Sequence, residues 1–162
     1  NPIRFVEYAA SASIMLVCIG LLTGVRDFST LFMIAALCAN TQFMGLLSEY
    51  DENRWAEITH TVIGWITLMV AYGVIFTYYG VANAQAVDGY EAPWFVHVLV
   101  ISMFVLFNSF GIVHLCRVCG NKNDEEARKN IEVSYVTLSI VAKTLLGWLI
   151  YGSVMAMGAP CE

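Results

Sequence analysis

Acidic and basic residues divide the chain into long apolar runs. Segments without Asp, Glu, Lys or Arg cover residues 8–25, 28–48, 58–87, 92–116, 133–142 and 144–161. A helix needs ~20 predominantly apolar residues to cross the hydrocarbon core of a bilayer. If the last two runs are one segment that Lys143 interrupts, the pattern predicts five membrane-spanning segments, approximately residues 3–24, 28–49, 58–81, 93–117 and 131–157.

The continuity of these runs predicts helices and not barrel strands. Transmembrane strands would be ~10 residues long and would alternate polar with apolar positions. The connections are short, and no tandem repeat, low-complexity tract or long linker divides the chain. We therefore predict an all-α fold, a polytopic transmembrane helix bundle in which residues 1–162 form a single transmembrane domain.

Composition agrees with this class. The 162 residues are 59% hydrophobic and 13% charged, whereas soluble domains carry about a quarter charged residues. The net charge of −5 and the acidic loops argue against a nucleic-acid partner. The expected surroundings are a lipid bilayer.

Basic residues predict the orientation. One face of the membrane would receive Arg4, Arg54, Arg117, Lys122, Arg128 and Lys129, and the other only Arg26. Because cytoplasmic loops carry an excess of Lys and Arg, this asymmetry places the start of the first span in the cytoplasm and the C-terminus outside. The protein is thus expected to be a multi-pass protein of the cell membrane.

The first residues already belong to a predicted helix. The chain starts at Asn1 without a basic n-region or a small-residue cleavage site, so the first span does not resemble a signal peptide. We expect the sequence to be a piece of a longer chain.

The cysteines form one short motif. Cys116 and Cys119 make a single C-x-x-C near His114, but a structural zinc site needs four ligands and nothing supplies the fourth. Packing of small side chains is the simpler interpretation, and no metal site is predicted.

The stretch SIVAKTLLGW holds Lys143 near the middle of the last span. A charge at that depth costs roughly 2.5–3.5 kcal/mol on insertion scales, so it is rare and usually functional. Snorkelling is the alternative, but the amine lies ~18 Å into the helix and not near an end. A desolvated amine can also form an imine with an aldehyde, and a protonated imine needs a buried anion.

Glu7 is the carboxylate best placed to be that anion. Ser11 and Met15 follow it at four-residue spacing on one helical face, and Ser139 stands one turn before Lys143. Together they would make a compact polar centre. Alternatively, Glu7 lies at the interface beside Arg4 as a surface pair, and the residues alone leave both interpretations open.

Aromatic residues in the spans could line a slot for a flat polyene: Trp65, Tyr72, Phe104, Phe107, Phe110 and Trp148. Ordinary packing is the alternative, because aromatic stripes in a bundle usually only pack.

Two terminal motifs resemble a known family. NPIRFVEYAASAS resembles the third helix of the heliorhodopsins, the inverted-topology branch of the microbial rhodopsins, and YVTLSIVAKTLLGW resembles their seventh, lysine-bearing helix. ANTQFMGLLSEY, GWITLMVAYG and FVLFNSFGIVH stand where helices four, five and six are expected. The resemblance covers essentially the whole chain and implies five helices of a seven-helix rhodopsin, with an outward-facing C-terminus.

Site residues follow from this resemblance. It implies that Lys143 holds all-trans retinal covalently as a protonated Schiff base, with Glu7 as counterion and Ser11 and Ser139 as hydrogen-bonding neighbours. Met15 belongs to the same expected site. The pocket walls would include Asn40, Phe43, Trp65, Phe110 and Trp148. Two positions depart from the family pattern: Phe5 stands where tryptophan is expected, and Val113–His114 replace an Asn-Gln-like pair.

The implied function is a light-sensing photoreceptor and not an enzyme. A pump needs proton donors and acceptors along a path, and Glu49, Glu57, Asp88 and Glu91 all fall at predicted helix ends. A light-driven proton transporter or channel is one alternative. Another is a non-photoactive structural or partner-binding membrane protein with a Lys143–Glu7 ion pair. A homodimer and a signalling partner of unknown identity stay open.

Overall fold

Long helices account for almost all of the described chain. The computed structural model describes residues 2–84, 94–120 and 125–158. They form α1 (Pro2–Leu22), α2 (Phe28–Tyr50), α3 (Arg54–Ala84), α4 (Trp94–Cys119) and α5 (Glu125–Gly158). All five are long and apolar enough to cross a membrane. The prediction of an all-α, multi-pass membrane protein is confirmed.

Some of the residues considered above lie outside the described ranges. Asp88, Glu91, Lys122 and Cys161 lie outside the described residues, as does residue 93, and the side chains of Arg4 and Arg128 are not described. Arg54 lies at the same end of the bundle as the last turn of α4, which contains Arg117, because the Arg54 guanidinium donates to the carbonyl oxygen of Cys119 at 3.2 Å.

The helices extend beyond the charge-free runs. α3 begins at Arg54 and not at residue 58, and α5 begins at Glu125 and not at residue 131. Acidic residues occupy both first turns, Glu57 in α3 and Glu125 and Glu126 in α5. Negative charge near a helix N-terminus interacts favourably with the helix dipole. Acidic residues that precede an apolar run in the sequence can therefore belong to the same helix as the run.

The turn between α1 and α2 has its own signals. Gly24 adopts a φ of +95°, a left-handed conformation that glycine accepts without steric cost. Asp27 then caps α2, since its carboxylate accepts hydrogen bonds from the side chain and the backbone N–H of Thr30, each at 2.8 Å. These bonds, with that of the Thr30 side chain as the largest cause, lower the pKa of Asp27 from its ordinary value.

Close packing joins α2 to α3. The Thr41 hydroxyl donates to the Gly64 carbonyl oxygen at 3.1 Å and lies 3.0 Å from the Thr67 hydroxyl. A Cβ at Gly64 would lie 3.2 Å from the Cβ of Met44, so the glycine is needed for this approach. Small residues and interhelical hydrogen bonds are the usual means by which helices associate in lipid.

An aromatic cluster joins α3 to α4. The ring of Tyr72 is 1% exposed and meets Phe104 and Phe107 edge to face, with centroids 5.1 Å and 5.8 Å away. These contacts are favourable beyond the area they bury. The cluster includes three of the aromatic residues expected to line a slot, and only Phe107 reaches the cavity described below.

Exposed aromatic rings mark the helix ends. Tyr50 ends α2 and Trp55 lies in the first turn of α3, whereas Phe28 begins α2 and Trp94 begins α4 at the opposite end. Each of these rings is at least two-thirds exposed.

Candidate functional site

A single cavity takes part of its wall from all five helices. The cavity has a volume of about 110 Å³. Its larger apolar side chains are Phe5, Tyr8, Met15, Trp65, Leu68, Phe107 and Phe110. Its polar side chains are Ser11, Thr41, Gln42, His60, Thr61, His114, Tyr135, Ser139 and Lys143. A mainly apolar wall with a few convergent polar groups is typical of a small-molecule site.

Lys143 and Glu7 form an ion pair at this cavity. The Lys143 Nζ donates to Glu7 Oε1 at 3.0 Å, and it lies 5.8 Å from the centroid of the Tyr8 ring. Lys143 falls near the middle of the membrane-spanning part of α5, Lys129–Gly152. The Lys143 side chain is 41% exposed and the Glu7 side chain is 62% exposed. The five helices therefore leave part of the ion pair uncovered. The structure thus brings together the amine and the carboxylate that the sequence singled out.

The other residues predicted near the pair also line the cavity. Ser139 is 9% exposed and lies one turn before Lys143 on α5. Ser11 and Met15 contribute wall from α1. This arrangement follows from four-residue spacing, which keeps side chains on one helical face.

Trp65 is held flat against α4. Its indole Nε1–H donates to Asn108 Oδ1 at 3.2 Å, and the Asn108 amide donates in turn to the Phe104 carbonyl at 2.8 Å. A Cβ at Gly111 would lie 3.1 Å from Trp65 Nε1 and 3.3 Å from its Cε2. The glycine therefore makes room for the ring at the cavity wall.

Phe110 occupies a central place in the wall. Its ring meets Tyr8 of α1 edge to face at 6.3 Å and stacks on Tyr135 of α5 at 6.3 Å. The three rings connect the wall near Lys143 with the part of the wall that contains His114.

Three residues expected in the wall lie elsewhere. Phe43 is 58% exposed, Trp148 is 70% exposed, and Asn40 does not line the cavity either. Trp148 follows Lys143 by five positions, a rotation of ~140° about the helix axis, which turns it away from the Lys143 face. On α2 the wall is made by the neighbours Thr41, Gln42 and Gly45 instead.

Sequence reasoning missed a polar group at the same cavity. His114 Nδ1 lies 2.9 Å from the Tyr135 hydroxyl, and His114 Nε2 lies 3.1 Å from the Ser48 hydroxyl. Tyr135, Ser139 and Lys143 follow each other at four-residue spacing, and that pattern could have identified Tyr135. Only the structure shows that α2 and α4 bring Ser48 and His114 to it.

The end of the bundle near the α2–α3 turn carries further charges. Arg117 and Glu49 form an ion pair at 2.6 Å, and His60 lies 3.2 Å from Asp51. Glu57, expected at a helix end, is in the first turn of α3 but only 3% exposed. Within residues 2–84, 94–120 and 125–158, no three His, Cys, Asp or Glu side chains are arranged to hold a metal. Cys116 and Cys119 are exposed thiols there.

Comparison with known proteins gives one family. The family model described as heliorhodopsin matches residues 1–155, which includes every residue of the cavity wall. No curated protein matches the chain.

Proposed function

Because the chain belongs to the heliorhodopsin family, and so to the retinal-binding rhodopsins, we propose that it is a light-sensing membrane photoreceptor. The observation that carries the proposal is the Lys143–Glu7 pair, with 3.0 Å between Nζ and Oε1, beside a cavity with aromatic walls. Both residues lie within candidate membrane spans, where charges are expensive and usually have a function. A lysine amine beside a single carboxylate suits a cofactor that is attached to the lysine and carries a positive charge.

The wall residues fit the chromophore that the family implies. Trp65, Phe107 and Phe110 offer flat apolar surfaces, and Gly111 leaves the space in which the Trp65 ring lies. In this proposal all-trans retinal, bound to Lys143 as a protonated Schiff base, supplies light absorption and isomerisation. Ser11, Met15 and Ser139 belong to the same part of the wall.

The protein's own residues have defined tasks in this proposal. Glu7 keeps a negative charge beside the Lys143 nitrogen, and Trp65 and Phe110 fix the shape of the cavity. Any displacement of the Lys143 nitrogen weakens its hydrogen bond to Glu7, which joins α5 to α1. Two arrangements of these helices then differ in stability, and a signal is a shift of population between them.

The described carboxylates favour a sensor over a transporter. Glu49 is paired with Arg117, and Glu57 lies in the first turn of α3, so both are close to one end of the bundle. A visible absorption spectrum after expression with all-trans retinal, combined with the external pH of illuminated cells, tests the proposal. A coloured protein with little pH change supports the sensor. A sustained, protonophore-sensitive pH shift favours a transporter or channel, and a colourless protein favours a non-photoactive role for the ion pair.

The orientation is part of the proposal and yields a prediction. Arg54 and Arg117 lie at the same end of the bundle as the α2–α3 turn, and the positive-inside rule assigns that end to the cytoplasm. A reporter fused after Glu162, with any segment that naturally precedes Asn1 retained, should be accessible only from outside the cell. Labelling of that end from the cytoplasm would contradict the orientation.

Gly111→Ala is expected to disturb the cavity through Trp65. The added methyl group would meet the indole at 3.1 Å, so the ring must shift or the helices must separate. Overpacking of this kind costs ~1–3 kcal/mol. We expect a lower thermal bleaching midpoint and a changed absorption maximum for the pigment.

Gly73→Ala is the matched control for this prediction, because a Cβ at Gly73 on α3 would meet nothing within 4 Å. The control should keep the wild-type spectrum and bleach at the same temperature or slightly higher, since alanine favours helix. Equal behaviour of the two variants would show that the Gly111–Trp65 contact does not shape the site.

A further inference from the structure

His114 occupies a second polar centre of the cavity. Its two ring nitrogens lie 2.9 Å from the Tyr135 hydroxyl and 3.1 Å from the Ser48 hydroxyl. Ser48 is 1% exposed and Tyr135 is 7% exposed. The imidazole therefore has a hydroxyl partner on each side, and it lines the same cavity as Lys143.

Both protonation states of this imidazole can be hydrogen-bonded. In the neutral ring, one N–H donates to one hydroxyl while the other hydroxyl donates to the bare nitrogen. In the protonated ring, both N–H groups donate, and the hydroxyls need only rotate. Ser48 has a further partner for its proton, because its Oγ lies 3.4 Å from the Thr61 hydroxyl. Proton uptake thus leaves none of these polar groups without a partner.

The position of Tyr135 on α5 relates the two centres. Tyr135 contacts His114 and precedes Lys143 by eight positions, which corresponds to ~12 Å along the helix axis. At an effective dielectric constant of ~20, two unit charges at that distance change each other's proton affinity about tenfold, or about one pH unit.

Other titratable and charged groups lie on the five helices that form the cavity. They are Glu7 and Tyr8 on α1, Glu49 and Asp51 at the end of α2, Glu57 and His60 on α3, Arg117 on α4, and Tyr135, Glu132 and Lys143 on α5. Arg117 and Glu49 are paired at 2.6 Å, and His60 is close to Asp51. Lys143 and Glu7 are therefore two of several charged groups whose charge can affect proton binding at His114.

We propose that His114 is a second proton-binding residue of the cavity, coupled electrostatically to Lys143 and Glu7. The coupling deepens the proposed function and depends on it for its role, because it links the charge state near the chromophore to a group two helical turns away. Loss of the positive charge at Lys143 favours proton binding at His114. Loss of the negative charge at Glu7 has the opposite effect.

The test uses the retinal-free protein in a lipid nanodisc, with ¹⁵N-labelled histidine. His114→Gln assigns the resonances, and the ring nitrogens are followed by NMR between pH 4.5 and 9, a range that covers the ordinary titration of histidine. We expect His114 to titrate in this range. Its midpoint should rise by about one pH unit in Lys143→Ala and fall in Glu7→Gln.

His97 is the matched control, since it lies on the same helix near its other end, with its ring against Tyr79. Its midpoint should be the same in all three backgrounds. A single neutral form of His114 throughout the range, or a midpoint that neither variant shifts, overturns the proposal. Because this readout needs no retinal, a colourless wild type would refute the proposed function and leave the titration of His114 measurable.

Discussion

Lys143→Ala is expected to give a folded but colourless protein. The change removes the amine that would hold retinal, and it also removes a mid-membrane charge that costs roughly 2.5–3.5 kcal/mol on insertion scales. Its partner Glu7 is 62% exposed, so the bundle should tolerate the loss of the pair. Visible absorption and the yield of folded protein after reconstitution with retinal measure the two effects separately.

Two further variants make this experiment decisive. Lys143→Arg keeps a cation for Glu7 but provides no amine for imine formation, so it should be folded and colourless. Lys129→Ala removes an exposed lysine from the same helix and should stay coloured. Borohydride reduction in the light should attach retinal to the peptide that contains Lys143 in the wild type alone. A coloured Lys143→Ala protein, or a colourless wild type, would falsify the assignment.

Glu7→Gln is expected to make the pigment lose its proton at lower pH. The carboxylate lies 3.0 Å from the Lys143 nitrogen, and an opposite charge at that distance favours the protonated form of the nitrogen. Without it, the visible band should convert to a near-ultraviolet band at a correspondingly lower pH. Added halide should restore part of the visible band if it replaces the missing anion.

The comparison for this variant is Glu52→Gln, which removes an exposed carboxylate from the α2–α3 turn. Its spectrum and its titration should match those of the wild type. If Glu7→Gln also matched the wild type and responded to no halide, Glu7 would be an ordinary interface residue and another group would have to balance the charge.

The sequence predicted the number and type of the helices because one energy term dominates their placement. Burying a charge in hydrocarbon is so costly that charge-free runs alone locate the spans. For the same reason Lys143 and Glu7 could be identified in advance, since few charged residues lie within the predicted spans. The helix ends were harder to predict, because the charged residues Arg54 and Glu57 lie outside the apolar run and yet belong to α3.

The cavity wall could be predicted only where helical spacing relates residues to Lys143 or Glu7. Ser11, Met15 and Ser139 follow from that spacing and do line the cavity. Phe43 and Trp148 depend on how α2 and α5 are rotated about their axes, which contacts such as Thr41 with Gly64 determine. Each residue turns the helix by ~100°, so a small error in the rotation exchanges wall residues for exposed ones. The Ser48–His114–Tyr135 group needs three helices at once and has no signature in one segment.

The exposed rings at the helix ends also indicate the bilayer thickness that matches this protein. α2 rises ~34 Å from Phe28 to Tyr50, close to the ~30 Å of a typical hydrocarbon core, and Trp and Tyr rings prefer the headgroup level. In a thinner bilayer the helices would have to tilt to reduce the hydrophobic mismatch, at a cost of fractions of a kcal/mol per ångström. Because α2 and α4 both contribute to the cavity wall, such a tilt would move the wall residues relative to Lys143. We therefore expect the absorption spectrum of the pigment to change with lipid chain length, because Tyr50, Trp55 and Trp94 would hold the helix ends at the headgroups.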